Sequence, residues 1–144
     1  MPLSAVRDEG VSYHYAPPSR EIAPTDAALN ALRRTLQARG EPFAAGKTWT
    51  TDAFYRETPA RVARRRGEGC LTVEMESAAF FAVARFRGVE FAQLLYAEDD
   101  VASEVWSSRR KAFDRKAVRA RMLELAIEAC LAMESGFERA RGTA

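Results

Sequence analysis

The period of the apolar positions changes several times along this chain, and each change marks an element. Leu3-Ser4-Ala5-Val6 is a short apolar run that reads as a strand and stops at the Arg7-Asp8-Glu9-Gly10 turn. Val11 to Tyr15 alternates as a short strand or extended loop, closed by Ala16-Pro17-Pro18-Ser19. Leu29, Leu32 and Leu36 then recur at helical spacing, with Thr25 as N-cap, Asp26 in the first turn and Gly40 as the stop. Phe43 to Thr51 reads as a strand, and Thr58-Pro59 opens a helix that ends at Gly67. Cys70 to Val73 is the end of a buried strand. From Met75 the period is helical again: Met75, Ala78, Ala79, Ala82, Val83 and Phe86 form one face, and Gly88 ends it. Val89 to Tyr96 reads as another buried strand. Ser107 to Ser135 reads as a long amphipathic helix with Phe113, Ala117, Ala120, Leu123, Ile127, Cys130 and Leu131 on its inner side.

Short strands alternating with amphipathic helices predict an α/β fold, with a mixed, twisted sheet of about four strands. Helices should flank it from residues near 25, 59, 76 and 108, and residues 1–144 should form a single domain. Hydrophobic residues make up 47% and charged residues 29%, ordinary values for a globular protein. A net charge of +2 is too mild to argue for nucleic acid, and no apolar run is long enough to cross a bilayer. The expected partners therefore include neither nucleic acid nor membrane. Arg7, Asp8 and Glu9 follow the first residues at once, so the start does not read as a signal peptide. Cys70 and Cys130 stand in apolar settings without metal spacing and read as reduced core thiols of a cytoplasmic protein.

Chemistry gathers where strands end. Glu74 and Glu76 sit where a strand becomes a helix, and ligands of α/β sheets bind at that end. Glu98, Asp99 and Asp100 follow the next strand, and one carboxyl in such a group would have a raised pKa. Phe54 and Tyr55 follow Thr51. Each has a plainer reading: solvated first-turn acids, an acidic capping loop, ordinary core aromatics. Arg61, Arg64, Arg65 and Arg66 read as a solvated basic face, and His14, between two tyrosines, as a packed or surface histidine.

Three strings in order decide between these readings: Thr51-Asp52-Ala53-Phe54-Tyr55, Val73-Glu74-Met75-Glu76-Ser77-Ala78 and Tyr96-Ala97-Glu98-Asp99-Asp100. Together they resemble the nucleoside phosphorylase family, which includes hexameric purine nucleoside phosphorylases, uridine phosphorylases and methylthioadenosine nucleosidases. The resemblance covers the C-terminal part of the family's usual chain, so the family's N-terminal half is lacking here. It implies cleavage of the N-glycosidic bond of a purine nucleoside in salvage or catabolism, the work of a pentosyltransferase. In those roles Glu76 would accept hydrogen bonds from ribose hydroxyls, Met75 would pack on the sugar and Phe54 would stack on the base. Asp99 would protonate the leaving base, and Glu74 would orient the strand end or touch the sugar. The region around Arg7 and His14 borders the family's substrate cleft and adds both as cleft residues. No cofactor or metal is implied, only phosphate as co-substrate in a phosphorylase, or an activated water in a nucleosidase.

Some positions depart from the family. Thr58 and Ala60 stand where uridine phosphorylases carry the glutamine and arginine that read uracil, and Glu98 stands where a small residue is common. No glycine-rich phosphate loop occurs in the sequence. The alternative is therefore a truncated, non-catalytic relative that oligomerises and binds nucleosides, or a separate chain supplying the missing half. A shortened sheet exposes an edge and an apolar face, which favours a homo-oligomer, with the edge expected before Leu3.

Overall fold

The computed structural model describes residues 1–100, 107–108 and 114–141, with only the backbone described for Asp99, Asp100, Ser107, Ser108 and residues 134–141. Its strands are β1 (Pro2–Asp8), β2 (Glu21–Ile22), β3 (Gly46–Thr51), β4 (Cys70–Glu74), β5 (Asp99–Asp100) and β6 (Ser107–Ser108). Its helices are α1 (Asp26–Ala38), α2 (Pro59–Gly67), α3 (Ser77–Arg87) and α4 (Arg115–Arg141). The main sheet has the order β2-β1-β3-β4. β1, β3 and β4 are parallel and β2 is antiparallel to β1, so the sheet is mixed, with helices around it as the alternation predicts. β5 and β6 form a separate antiparallel pair.

Alternation along β1 divides its side chains between two layers. Ala5 packs with Ile22, Ala78, Phe81 and Ala82, which seats α3 on one face. Val6 packs with Trp49, Val62 and Cys70, which seats α2 on the other. α1 and α4 meet through Leu32, Leu36, Leu125 and Ala129, with Met1 against them. Gly88 follows α3 with φ of 65°, a left-handed conformation that glycine adopts without strain and that ends the helix.

Several expectations are corrected. Val11–His14 is a 3₁₀ turn, because the Glu9 carboxylate accepts the Ser12 backbone N–H at 2.9 Å and also its hydroxyl. Val89–Tyr96 lies outside every strand. Instead, Thr25 and Phe91 exchange hydrogen bonds: the Phe91 N–H reaches Thr25 Oγ1 at 2.9 Å and the Thr25 N–H reaches the Phe91 carbonyl at 3.1 Å. Thr25 thus anchors this segment and makes no side-chain cap on α1. β1 is an inner strand, and the edges are β2 and β4. In α3 the buried residues are Ser77, Ala78, Phe81, Ala82 and Ala84, while Phe86, and Met75 just before the helix, are exposed. α4 starts at Arg115 and buries Leu125 and Ala129, and Leu123, Ile127, Cys130 and Leu131 face outward. Phe113 lies outside the described residues.

Candidate functional site

β3 and β4 run side by side in the same direction, with Thr50 opposite Glu74, so the chain leaves both strands at one end of the sheet. The β4–α3 junction is organised by Glu74. Its Oε1 accepts the Thr50 hydroxyl at 2.6 Å, and its Oε2 accepts the backbone N–H groups of Glu76 at 2.8 Å and Ser77 at 2.5 Å. Thr50 Oγ1 in turn accepts the Ala78 N–H at 3.0 Å. Three unpaired N–H groups at the helix start are thereby satisfied, and a carboxylate sits where the helix dipole favours it. The residue in the N-cap position, Glu76, makes no side-chain cap bond. Capping has passed two residues back along the chain.

This leaves Glu76 with an exposed carboxylate that has no hydrogen-bond or ion-pair partner among the described residues. Met75 beside it is 42% exposed. On the β3 side, Phe54 opens a short 3₁₀ turn, 48% exposed, with its ring centroid 3.9 Å from that of Tyr55. Glu57 closes this turn, and burial raises its carboxyl pKa above the usual value. The Asp52 carboxylate accepts the Gly10 N–H at 3.1 Å, tying the turn after β1 to the end of β3.

Phe54, Glu74, Met75 and Glu76 thus follow directly on two adjacent strand ends, and Glu74 is committed to the junction. The backbone of Asp99 pairs with Ser108 in the separate two-stranded ladder, and its side chain lies outside the described residues. Its neighbour Glu98 accepts the Tyr96 hydroxyl at 2.7 Å and pairs with Arg115 at 2.6 Å. Arg7 is buried and spends its donors on the loop after β1: Ser12 Oγ at 2.8 Å, the Pro17 carbonyl at 2.6 Å, Ser19 Oγ at 2.8 Å and the Ala16 carbonyl at 3.2 Å. His14 is exposed at the end of the 3₁₀ turn.

Sequence reasoning missed Thr50 and Gln93. Thr50 is fully buried and joins β3 to α3, and Gln93 accepts the Ser77 hydroxyl at 2.7 Å. The signal for the first was present: alternate threonines, Thr48 and Thr50, on one face of a strand need buried partners. The arginines of α2 are also tied down. The Asp8 Oδ2 accepts Arg61 at 2.6 Å, Arg65 at 2.8 Å and the Trp49 indole N–H at 2.9 Å. Burial pushes the Asp8 pKa up, but the Arg65 and Trp49 hydrogen bonds and the two positive charges more than offset it, so the net shift is downward. At the opposite end of the sheet, a cavity of 620 Å³ is lined by Met1, Leu36, Phe43, Leu71, Leu94 and Met122, among others.

The sequence profile of the phosphorylase superfamily matches residues 1–132. The chain belongs to the phosphorylase superfamily. Within it, a DeoD-type purine nucleoside phosphorylase of Clostridium perfringens is 30% identical over 117 residues, covering 78% of this chain and 48% of the relative. A DeoD-type enzyme of Bacillus cytotoxicus is 29% identical over 117 residues, covering 79% and 48%. A guanosine phosphorylase of Halorubrum lacusprofundi is 32% identical over 85 residues, covering 59% and 35%. This superfamily member spans about half the length of the DeoD-type relatives. Among solved structures, AMP nucleosidase from Bacteroides thetaiotaomicron superposes with a TM-score of 0.69 at 20% identity, over 95% of this chain and 53% of that one. That likeness is one of fold. Among the described residues no helix is long and apolar enough to cross a membrane.

Proposed function

We propose that this chain binds a purine nucleoside at the carboxyl ends of β3 and β4 and takes part in cleaving its N-glycosidic bond. The observation that carries the reading is the division of labour between two carboxylates. Glu74 is consumed by the helix start, while Glu76 stands exposed beside Met75, without a partner among the described residues. An ionised carboxylate is an acceptor only, which suits a pair of ribose hydroxyls. Phe54, half exposed after β3, offers a flat face to the base. In the cleavage step the bond between ribose C1′ and the base nitrogen breaks and its electron pair goes to the base. Asp99 gives the base a proton, a role worth about 10²–10⁴-fold. An oxygen of phosphate or of water forms the new bond to C1′. The purine preference rests on the relatives, which are purine nucleoside and guanosine phosphorylases, and on Thr58 and Ala60 standing at the uracil-reading positions. The setting would be nucleoside salvage or catabolism in the cytoplasm, with phosphate the only co-substrate.

One observation favours binding without phosphorolysis. Arg7, Arg61, Arg64 and Arg65 are all engaged by carbonyls, hydroxyls or carboxylates of the chain itself. A phosphate nucleophile would draw its positive partners from elsewhere, including a separate chain carrying the family's N-terminal half. Calorimetry with inosine, adenosine and uridine tests the reading. Glu76→Gln should weaken purine nucleoside binding by about 1.5–3 kcal/mol, the worth of hydrogen bonds to a charged group. Asp99→Asn should spare binding and remove turnover with phosphate. Equal binding by wild type and Glu76→Gln would sink the ribose assignment.

A further inference from the structure

The first turn of α3 takes its caps from β3 and β4. Glu76 occupies the N-cap position, where a side-chain oxygen ordinarily accepts the backbone N–H two or three residues on. In this chain the N–H two residues on, that of Ala78, is already taken. It donates to Thr50 Oγ1 at 3.0 Å, and the same hydroxyl donates to Glu74 Oε1 at 2.6 Å. Glu74 Oε2 accepts the two N–H groups before it, those of Glu76 at 2.8 Å and Ser77 at 2.5 Å. The hydroxyl of Ser77 is turned away and donates to Gln93 at 2.7 Å. Thr50, Ser77 and Ala78 are fully buried, so water does not compete for these bonds. One hydroxyl from β3 therefore does two things. It holds the Glu74 carboxylate in place, and it fills the donor to which the Glu76 side chain would otherwise turn back. An open helix N–H attracts a carboxylate both as a hydrogen-bond donor and through the dipole.

We infer that Thr50 is a positioning residue for the Glu76 carboxylate: by filling the Ala78 N–H and fixing Glu74, it keeps Glu76 turned outward to accept a ligand instead of capping α3. This rests on the ribose-accepting role proposed for Glu76 and names the residue that keeps Glu76 available for it. Thr50 itself is buried beneath the junction and touches no ligand. With valine in its place, the Ala78 N–H becomes a buried donor without an acceptor, a cost that a nearby carboxylate relieves by folding back. Glu76, two residues away and without a partner among the described residues, is that carboxylate. Ribose hydroxyls would then compete with the helix for the same two oxygens.

The test is calorimetry with inosine on the purified full chain and its variants. Thr50→Val keeps the shape of the side chain and removes the hydroxyl. It should weaken inosine binding about tenfold, approaching the loss caused by Glu76→Gln. Thr50→Ser, which keeps the hydroxyl, should bind within about twofold of the wild type. In a Glu76→Gln background Thr50→Val should cost nothing further, because both act through one carboxylate. Should Thr50→Val lose its circular dichroism spectrum, Thr50→Cys serves instead: its thiol is a weak donor and acceptor, and the loss should be smaller and in the same direction. A second readout needs no nucleoside. In amide NMR spectra the Ala78 N–H signal should move much further on Glu76→Gln in the Thr50→Val chain than in the wild type. A folded Thr50→Val chain that binds inosine as tightly as the wild type overturns the inference, as does a loss that adds in full to that of Glu76→Gln. If the wild type binds no inosine, the ribose reading fails and the Ala78 signal decides alone. An equal response in both chains then overturns the positioning role, and a larger one in Thr50→Val upholds it.

Discussion

At the carboxyl ends of β1, β3 and β4 polar side chains meet one another, whereas at the starts of the same strands apolar side chains surround a cavity. The first end holds Asp8 with Arg61, Arg65 and Trp49, and Glu74 with Thr50 and the first turn of α3. The second holds Met1, Leu36, Phe43, Leu71 and Leu94 around 620 Å³. At the polar end each bond has a direction and a named partner, so removing one group strands another. At the apolar end the contacts among these side chains are non-directional, with the Lys47–Glu21 and Arg121–Glu41 pairs beside them, so a change of one half-exposed apolar residue strands no polar partner. A binding site needs fixed geometry, and in this chain the fixed geometry is at the carboxyl end.

The contrast can be broken by substitution. Asp8→Ala should have the largest effect. It removes the acceptor shared by two arginines and an indole and leaves Arg65, whose side chain is 8% exposed, with Glu68 alone. Breaking a fully buried pair costs about 3–5 kcal/mol; the Asp8 side chain is 25% exposed and Arg65 keeps Glu68, so the cost should fall below that range. Urea denaturation measures it. Glu74→Ala should follow at about 0.5–2 kcal/mol, the worth of a helix cap, and Glu74→Gln should recover part of this because it keeps an acceptor. If Glu74→Ala proves neutral, the junction is not held as described.

Acid should weaken the ion pairs around α2 and β2. The hydrogen bond from Arg65, then those from Arg20 and Arg64, hold the Glu68 pKa down at about 2 against burial, from an ordinary 4.5. Asp8 and Glu21 are also shifted down. A carboxylate with a lowered folded pKa stabilises fully above its unfolded value and loses that stabilisation as pH falls through the folded one. The midpoint of unfolding should therefore hold above about pH 4.5 and decline toward pH 2, and Glu68→Gln should flatten the decline. The smallest effect should come from Leu71→Ser at the apolar end. Leu71 is 61% exposed, so the change should stay within about 0.5 kcal/mol. A cost matching that of Asp8→Ala would erase the distinction between the two ends.

Much of this was determined by sequence alone. The switch from a strand run at Cys70–Val73 to helical spacing, the Gly88 stop and the Thr58-Pro59 start are local signals, and β4, α3 and α2 form where they point. The two glutamates at the junction were legible as acids at a helix start, because dipole and backbone donors act over one turn. Tertiary structure decided which of them is spent there: the Thr50 hydroxyl arrives from the neighbouring strand and fixes Glu74, leaving Glu76 exposed and without a partner among the described residues. It also decided that Val89–Tyr96 joins no strand, since pairing needs a partner edge that no local pattern supplies. The face of α4 shows the limit most directly. Its apolar positions lie on two sides, and periodicity marks both. Only the packing of Leu125 and Ala129 on α1 sends Leu123, Ile127 and Leu131 outward.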